Sequence, residues 1–160
     1  MTAVTSDASI ELRLQRLEDQ LEIIRLLSAY GPLVDAGACD PAAELWEADG
    51  RYDVGGEHVA TGVEQIAALY SGDGHQSLIR QGSGHVTTTP HIRLDGDTAT
   101  AFAHSFVLLR GARGWAVWRA SANRWTLART ADGWRIRERV NRVLDGASKS
   151  HKLMGEIQYD

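Results

Sequence analysis

The stretch TATAFAHSFVLLRGARGWAVWRASANRWTLARTADGWRIRERVNRV, residues 98–143, decides how this chain folds. Apolar and polar residues alternate along Thr98–Leu109, Trp115–Leu127 and Trp134–Val143, which is the period of half-buried strands. Gly111–Gly114 and Asp132-Gly133 break that period with residues that enter turns without strain. A further candidate strand, His85–Leu94, precedes the turn signal Asp95-Gly96-Asp97, so a four-stranded antiparallel meander is expected. Along the strand from Trp115, alternation puts Val117, Arg119, Ser121, Asn123, Trp125 and Leu127 on one face with Trp115. Trp118, Ala120, Ala122 and Arg124 fall on the other.

Upstream the period changes. Ile10, Leu14, Leu17, Leu21, Ile24, Leu27 and Leu33 recur at helical spacing, and Gly31-Pro32 is expected to end or kink that helix. Asp40-Pro41 opens a short second helix predicted to reach Trp46 and to close at Asp49-Gly50. Arg51–Val54 and His58–Ala60 read as a hairpin around Gly55-Gly56, and Val63–Tyr70 as a third helix. Ser71–Gly84 is glycine-rich and poorly periodic, a loop or lid. Helices followed by a meander make an α+β domain, with about three N-terminal helices packed on a curved, mainly antiparallel sheet. The expected layout is a flexible N-terminus over 1–9, a domain over 10–146 and a tail over 147–160.

The 160 residues are 43% hydrophobic and 24% charged, the balance of an ordinary globular chain long enough to bury its own core. A net charge of −4 argues against a nucleic-acid partner, and the lone Cys39 rules out an internal disulfide. No apolar run is long enough to span a bilayer and no signal-peptide pattern opens the chain, so a cytoplasmic protein with no membrane partner is expected.

Among six histidines, His58, His75 and His151 sit in segments predicted to be solvated. His85 begins a strand beside the glycine-rich stretch, where an imidazole can face the space between sheet and helices and move protons. Asp35 lies among apolar and small residues and therefore requires a hydrogen-bonding or charged partner; a turn aspartate holding backbone amides is the alternative. Ser121 and Asn123 are small polar groups on an apolar face, suited to orienting a ligand or simply to the sheet surface. His104 shares parity with Phe102 and Phe106. No metal-ligand spacing, phosphate loop or nucleophile elbow occurs, so neither a metal nor another cofactor is expected.

Four stretches carry a resemblance when taken in order. They are Tyr30-Gly-Pro-Leu-Val-Asp35, Leu45-Trp46-Glu47-Ala48-Asp49-Gly50, His85–Ala99 (HVTTTPHIRLDGDTA) and Asp132-Gly-Trp-Arg-Ile136. From about Leu17 to Leu144 the chain resembles the SnoaL-like, scytalone-dehydratase-like branch of the NTF2-like superfamily. The resemblance implies a cone-shaped α+β barrel around an apolar pocket. It pairs Asp35 with His85, adds Tyr30 as a catalytic tyrosine, and gives His104, Ser121 and Asn123 substrate-binding positions. Val54 and Trp125 join them as expected pocket residues. Val34 and Val54 replace the tyrosines that activate scytalone, so a different substrate is implied.

The expected activity is a cofactor-independent lyase or isomerase of dehydratase type. Its substrate class would be small and largely apolar, extending to polycyclic steroid- or polyketide-like molecules. The alternative is a non-catalytic module that carries a ligand or binds a partner. Self-association as a homodimer or homotrimer is expected by analogy, through the outer sheet face with Trp118 buried there.

Overall fold

In the computed structural model, which describes residues 3–159, the chain runs α1 (Ala3–Asp35), α2 (Cys39–Ala43), β1 (Trp46–Val54), β2 (His58–Thr61), α3 (Val63–Ser71), α4 (Asp73–Gln81), β3 (Ser83–Thr87), β4 (His91–Asp95), β5 (Thr98–Gly111), β6 (Gly114–Thr130), β7 (Gly133–Val143) and α5 (Ser148–Met154). Of the N-terminal stretch, Met1 and Thr2 lie outside the described residues, as does Asp160 in the tail. The strands form one seven-stranded sheet in the order β2-β1-β7-β6-β5-β3, with β4 also paired to β5. The expected α+β class and curved sheet are present. The sheet is larger than a four-stranded meander because β1 joins β7 in parallel, with Tyr52 opposite Arg139. Among the described residues, no helix is long and apolar enough to cross a membrane.

Two irregularities bend the long strands. Between β5 and β6 the register slips at Val107/Leu108, leaving Trp118 as an extra residue, and between β6 and β7 it slips at Thr126/Leu127 opposite Arg137. Bulges of this kind curl a sheet and re-aim the side chains beyond them. The concave face carries Ala99, Ala101, Ala103, Trp125, Leu127, Trp134 and Ile136. Against it pack Ile23, Leu27 and Val34 of α1 and Ile66 and Tyr70 of α3. Three alanines on β5 leave room for the aromatic rings opposite.

Several local expectations are corrected. The first helix passes through Pro32 without ending. Pro32 forfeits one hydrogen bond to an exposed turn at Ser28, and burial of Leu27 and Val34 outweighs that loss. The helix stops instead at Gly37, whose φ of 70° allows a left-handed cap in which Ala38 N–H bonds Leu33 O at 2.9 Å. The second helix ends at Ala43, and Trp46 already belongs to β1, together with Asp49-Gly50. The stretch read as a loop holds helix α4. The single strand expected over His85–Leu94 is two, separated at Pro90, which has no N–H for the ladder. The tail folds into α5 on the convex face, where Leu153 packs on Ala122 and Val140.

Asp19 ties the middle of α1 to the sheet. Its carboxylate accepts from Arg129 Nη2 at 2.7 Å and from the Trp134 indole at 3.2 Å. Near its C-terminus, α1 touches β3 so closely that a Cβ on Gly31 would collide with the His85 carbonyl oxygen. In an ordinary helix interior, Gly→Ala stabilises by about 0.5–1 kcal/mol. Here the sign reverses: Gly31→Ala is expected to destabilise by about 1–3 kcal/mol in urea unfolding, the range for overpacking.

Candidate active site

Gly31 brings the last turn of α1 onto β3, and that contact places Asp35 beside His85. Asp35 Oδ2 accepts the His85 backbone N–H at 2.6 Å, while Oδ1 accepts the His85 Nδ1–H at 2.7 Å and the Ser83 hydroxyl at 2.9 Å. Burial by itself would raise the Asp35 carboxyl. The hydrogen bonds from His85 and Ser83 outweigh it and hold the group below its usual range. His85, with a side chain only 10% exposed, is driven the other way. Burial pushes its pKa down, and the Asp35 carboxylate recovers only part of that shift against the neighbouring His75 and, after it, Arg139. The result is a neutral imidazole with its proton on Nδ1 and a lone pair on Nε2.

His85 lines a cavity of about 160 Å³ with Tyr30, Tyr52, Val54, Tyr70, His75 and Arg119. No carboxylate is in the lining among the described residues. Trp118, 54% exposed, stands at the mouth, because the bulge on β6 turns it and Arg119 to the same side. The Tyr30 ring meets His85 edge-on at 6.3 Å and Tyr70 at 5.8 Å. His75 lies 5.2 Å from His85, ring centre to ring centre, and its Nε2–H donates to Val34 O at 3.2 Å. Burial pushes the Tyr52 hydroxyl up to about 12 and Tyr70 well above its usual value, so both phenols remain proton donors at neutral pH.

Behind this wall sits a cation that sequence reading missed. Arg139 is 3% exposed and has no carboxylate partner among the described residues. Its Nε and Nη2 donate to Asn123 Oδ1 at 3.1 and 2.9 Å. The guanidinium lies 4.6 Å from the Tyr30 ring, 4.8 Å from Tyr52 and 5.3 Å from Trp125. Burial disfavours its charge, yet the surrounding tyrosines keep its pKa above the ordinary value.

Of the residues singled out from sequence, His85, Tyr30 and Val54 line the cavity, and Asp35 stands outside the lining, bonded to the His85 ring. Asn123 and Trp125 stand one layer behind, holding Arg139, and do not line it. Ser121 is buried on the same sheet face, opposite Ser105, and is outside the lining. His104 is brought to neither place: it pairs with Ala122 and shares the convex face with Phe102 and Arg124. Trp118 is at the cavity mouth, not on the convex face where burial between subunits was expected. His75, expected to be solvated, belongs to the cavity because its segment is helical.

The model of the SnoaL-like domain matches residues 15–140. The chain belongs to the SnoaL-like family. This SnoaL-like domain is also similar to a solved NTF2-like protein with a cystatin-like fold from Novosphingobium aromaticivorans. The two are 40% identical over 99% of each chain, with a TM-score of 0.89. Rv3472 of Mycobacterium tuberculosis, a protein of unknown function solved as a single-substitution variant, is 24% identical over 88% of this chain and 79% of its own, with a TM-score of 0.75. Aln2 from a Streptomyces species is 21% identical over 78% of this chain and 90% of its own, with a TM-score of 0.71. These last two likenesses are of fold alone. No curated protein matches the sequence.

Two outcomes test the electrostatics of this SnoaL-like site. In a ¹⁵N NMR titration, His85 is expected to titrate below ~6.5, the unperturbed value for histidine. Asp35→Asn should move it lower still, because a carboxylate that favours the charged ring is lost. Separately, Asn123→Leu leaves Arg139 buried without its acceptor and is expected to cost about 3–5 kcal/mol in denaturant unfolding. Arg139→Met removes the charge itself and should cost less.

Proposed function

We propose that this SnoaL-like domain is a cofactor-independent lyase or isomerase whose general base is His85. The observation that carries the reading is the 2.7 Å hydrogen bond from His85 Nδ1 to Asp35, in a residue that lines the cavity. A base needs a free lone pair near the operating pH, and a neutral imidazole anchored through Nδ1 offers Nε2. In the step proposed, Nε2 takes a proton from the carbon next to a substrate carbonyl. The C–H electron pair moves to form an enolate, and Asp35 stabilises the imidazolium.

The surroundings suit the charge that then develops. With no carboxylate in the lining among the described residues and Arg139 behind Tyr30 and Tyr52, the cavity favours negative charge on an enolate oxygen. Phenols kept protonated by burial can donate to that oxygen. For dehydration, the enolate pair returns to form the C=C bond and the β C–O bond breaks. The proton on Nε2 goes to the departing hydroxyl, which leaves as water. For isomerisation, the same proton returns to a different carbon. His75 presents a second imidazole within reach of either product.

Size narrows the substrate. A 160 Å³ space is close to that of an apolar cavity able to hold benzene, about 150 Å³. The reacting part is therefore about one ring, and any larger portion must extend past Trp118. The test is proton–deuterium exchange, followed by ¹H NMR, on single-ring ketones and β-hydroxy ketones. The wild type should catalyse exchange, and His85→Ala should lower kcat by about 10²–10⁴-fold with the fold intact. Ligand binding without exchange in the wild type, unchanged by His85→Ala, would support the carrier reading instead.

A further inference from the structure

Arg119 lines the cavity, and among the described residues nothing neutralises it. Arg51, Arg124, Arg129, Arg137 and Arg142 each pair with a carboxylate, and Arg139 donates to Asn123 Oδ1. Arg119 has neither kind of acceptor among the described residues, and its Nε is buried without a hydrogen-bond partner. Its guanidinium lies 5.5 Å from the centre of the Trp118 ring, at the cavity mouth. A ring face holds a guanidinium in place without using its N–H donors. A buried donor with no acceptor is unfavourable, and a ligand that supplies one recovers that loss.

The sheet register aims Arg119 at the same space as His85. His85 pairs with Val107 on β5, and Val107 pairs with Arg119 on β6, so the three side chains leave one face of the sheet in a row. Two strand spacings separate the ends of that row, roughly 10 Å between Cα atoms. Both ends line the cavity, with buried Val107 between them.

We infer that Arg119 binds the carboxylate of a single-ring acid and so sets that ring before His85. Reading the acid as substrate rests on the proposed base; the binding of the anion does not. The chemistry of the site selects a carboxylate. Its two oxygens match the guanidinium fork, and one permanent cation in the lining balances one negative charge, where a phosphate dianion would stay half neutralised. Arg119 is partly exposed, so the bound carboxylate keeps some of its water and its desolvation costs little. The separation suits the proposed reaction as well. A carboxylate beside the reacting carbon would repel the developing enolate, whereas one held two strands away repels it weakly.

Benzoate and its methyl ester, one ring with and without the charge, are the probes. In ¹H–¹⁵N NMR titrations of the full chain, benzoate should bind about 10- to 100-fold more tightly than the ester, the worth of hydrogen bonds to a charged group. Arg119→Gln should abolish that preference, and Arg119→Lys, which keeps the charge but loses the fork, should retain part of it. Circular dichroism and the urea midpoint check that each variant is folded. Equal binding of the two probes by the wild type, no binding of benzoate, or a preference that survives Arg119→Gln overturns the inference. Proton–deuterium exchange on para-acetylbenzoate and its methyl ester is read separately. A preference for benzoate without exchange on either ketone supports the anion site and removes the base reading. Exchange on the ketones with no preference for benzoate keeps the base and overturns the anion site.

Discussion

Both oxygens of the Asp35 carboxylate are committed, one to the His85 backbone and the other to its ring and to Ser83. This clamp joins the end of α1 to the start of β3, two elements 50 residues apart in the chain. It depends on a close approach that only glycine at position 31 permits. The consequence is chemical as much as structural. A carboxylate held this way stays ionised, fixes the ring tautomer and leaves Nε2 as the one unengaged nitrogen of His85. The same groups link the fold to pH. Both pKa values are depressed in the folded state, so the stability they contribute is present above the unfolded values. It is lost as pH falls, first through the histidine range below about 6.5 and then through the carboxylate range below about 3.9.

The second constraint is the buried Arg139 cation. Desolvating a guanidinium costs several kcal/mol, and no carboxylate among the described residues offsets that cost here. Asn123 Oδ1 and three aromatic faces do so instead. An arginine neutralised by a carboxylate would project little field. One held by neutral groups keeps its positive potential directed through Tyr30 and Tyr52 toward the cavity. The same potential helps keep His85 unprotonated.

Much of this was legible in the sequence, and the gaps have definite causes. The α+β class followed from the change of period from His85 onward, and the Asp35–His85 pairing from the resemblance, which named the partner that an aspartate in apolar surroundings requires. Arg139 was hidden by a bulge. Counting alternately from Trp134 and Ile136 puts Glu138 inside, but the extra residue at Arg137 turns Arg139 and Asn141 inward instead. The bulge at Trp118 likewise brings Trp118 and Arg119 to one side. His75 was missed because Gly72, Gly74 and Gly82 obscured a nine-residue helix. His104 was placed in the site by analogy, although its pairing with Ala122 sets it on the sheet face away from Asn123. Polar residues on an apolar face gave no sign that Asn123 binds an internal cation.

The pH dependence of catalysed C–H exchange, set beside the NMR titration of His85 in the same buffer, tests the central claim most directly. If His85 is the base, kcat/KM falls with acid at the midpoint of the imidazole titration, below about 6.5, and both midpoints move down together in Asp35→Asn. An activity midpoint that differs from the His85 titration, or stays put when that titration moves, would contradict the assignment.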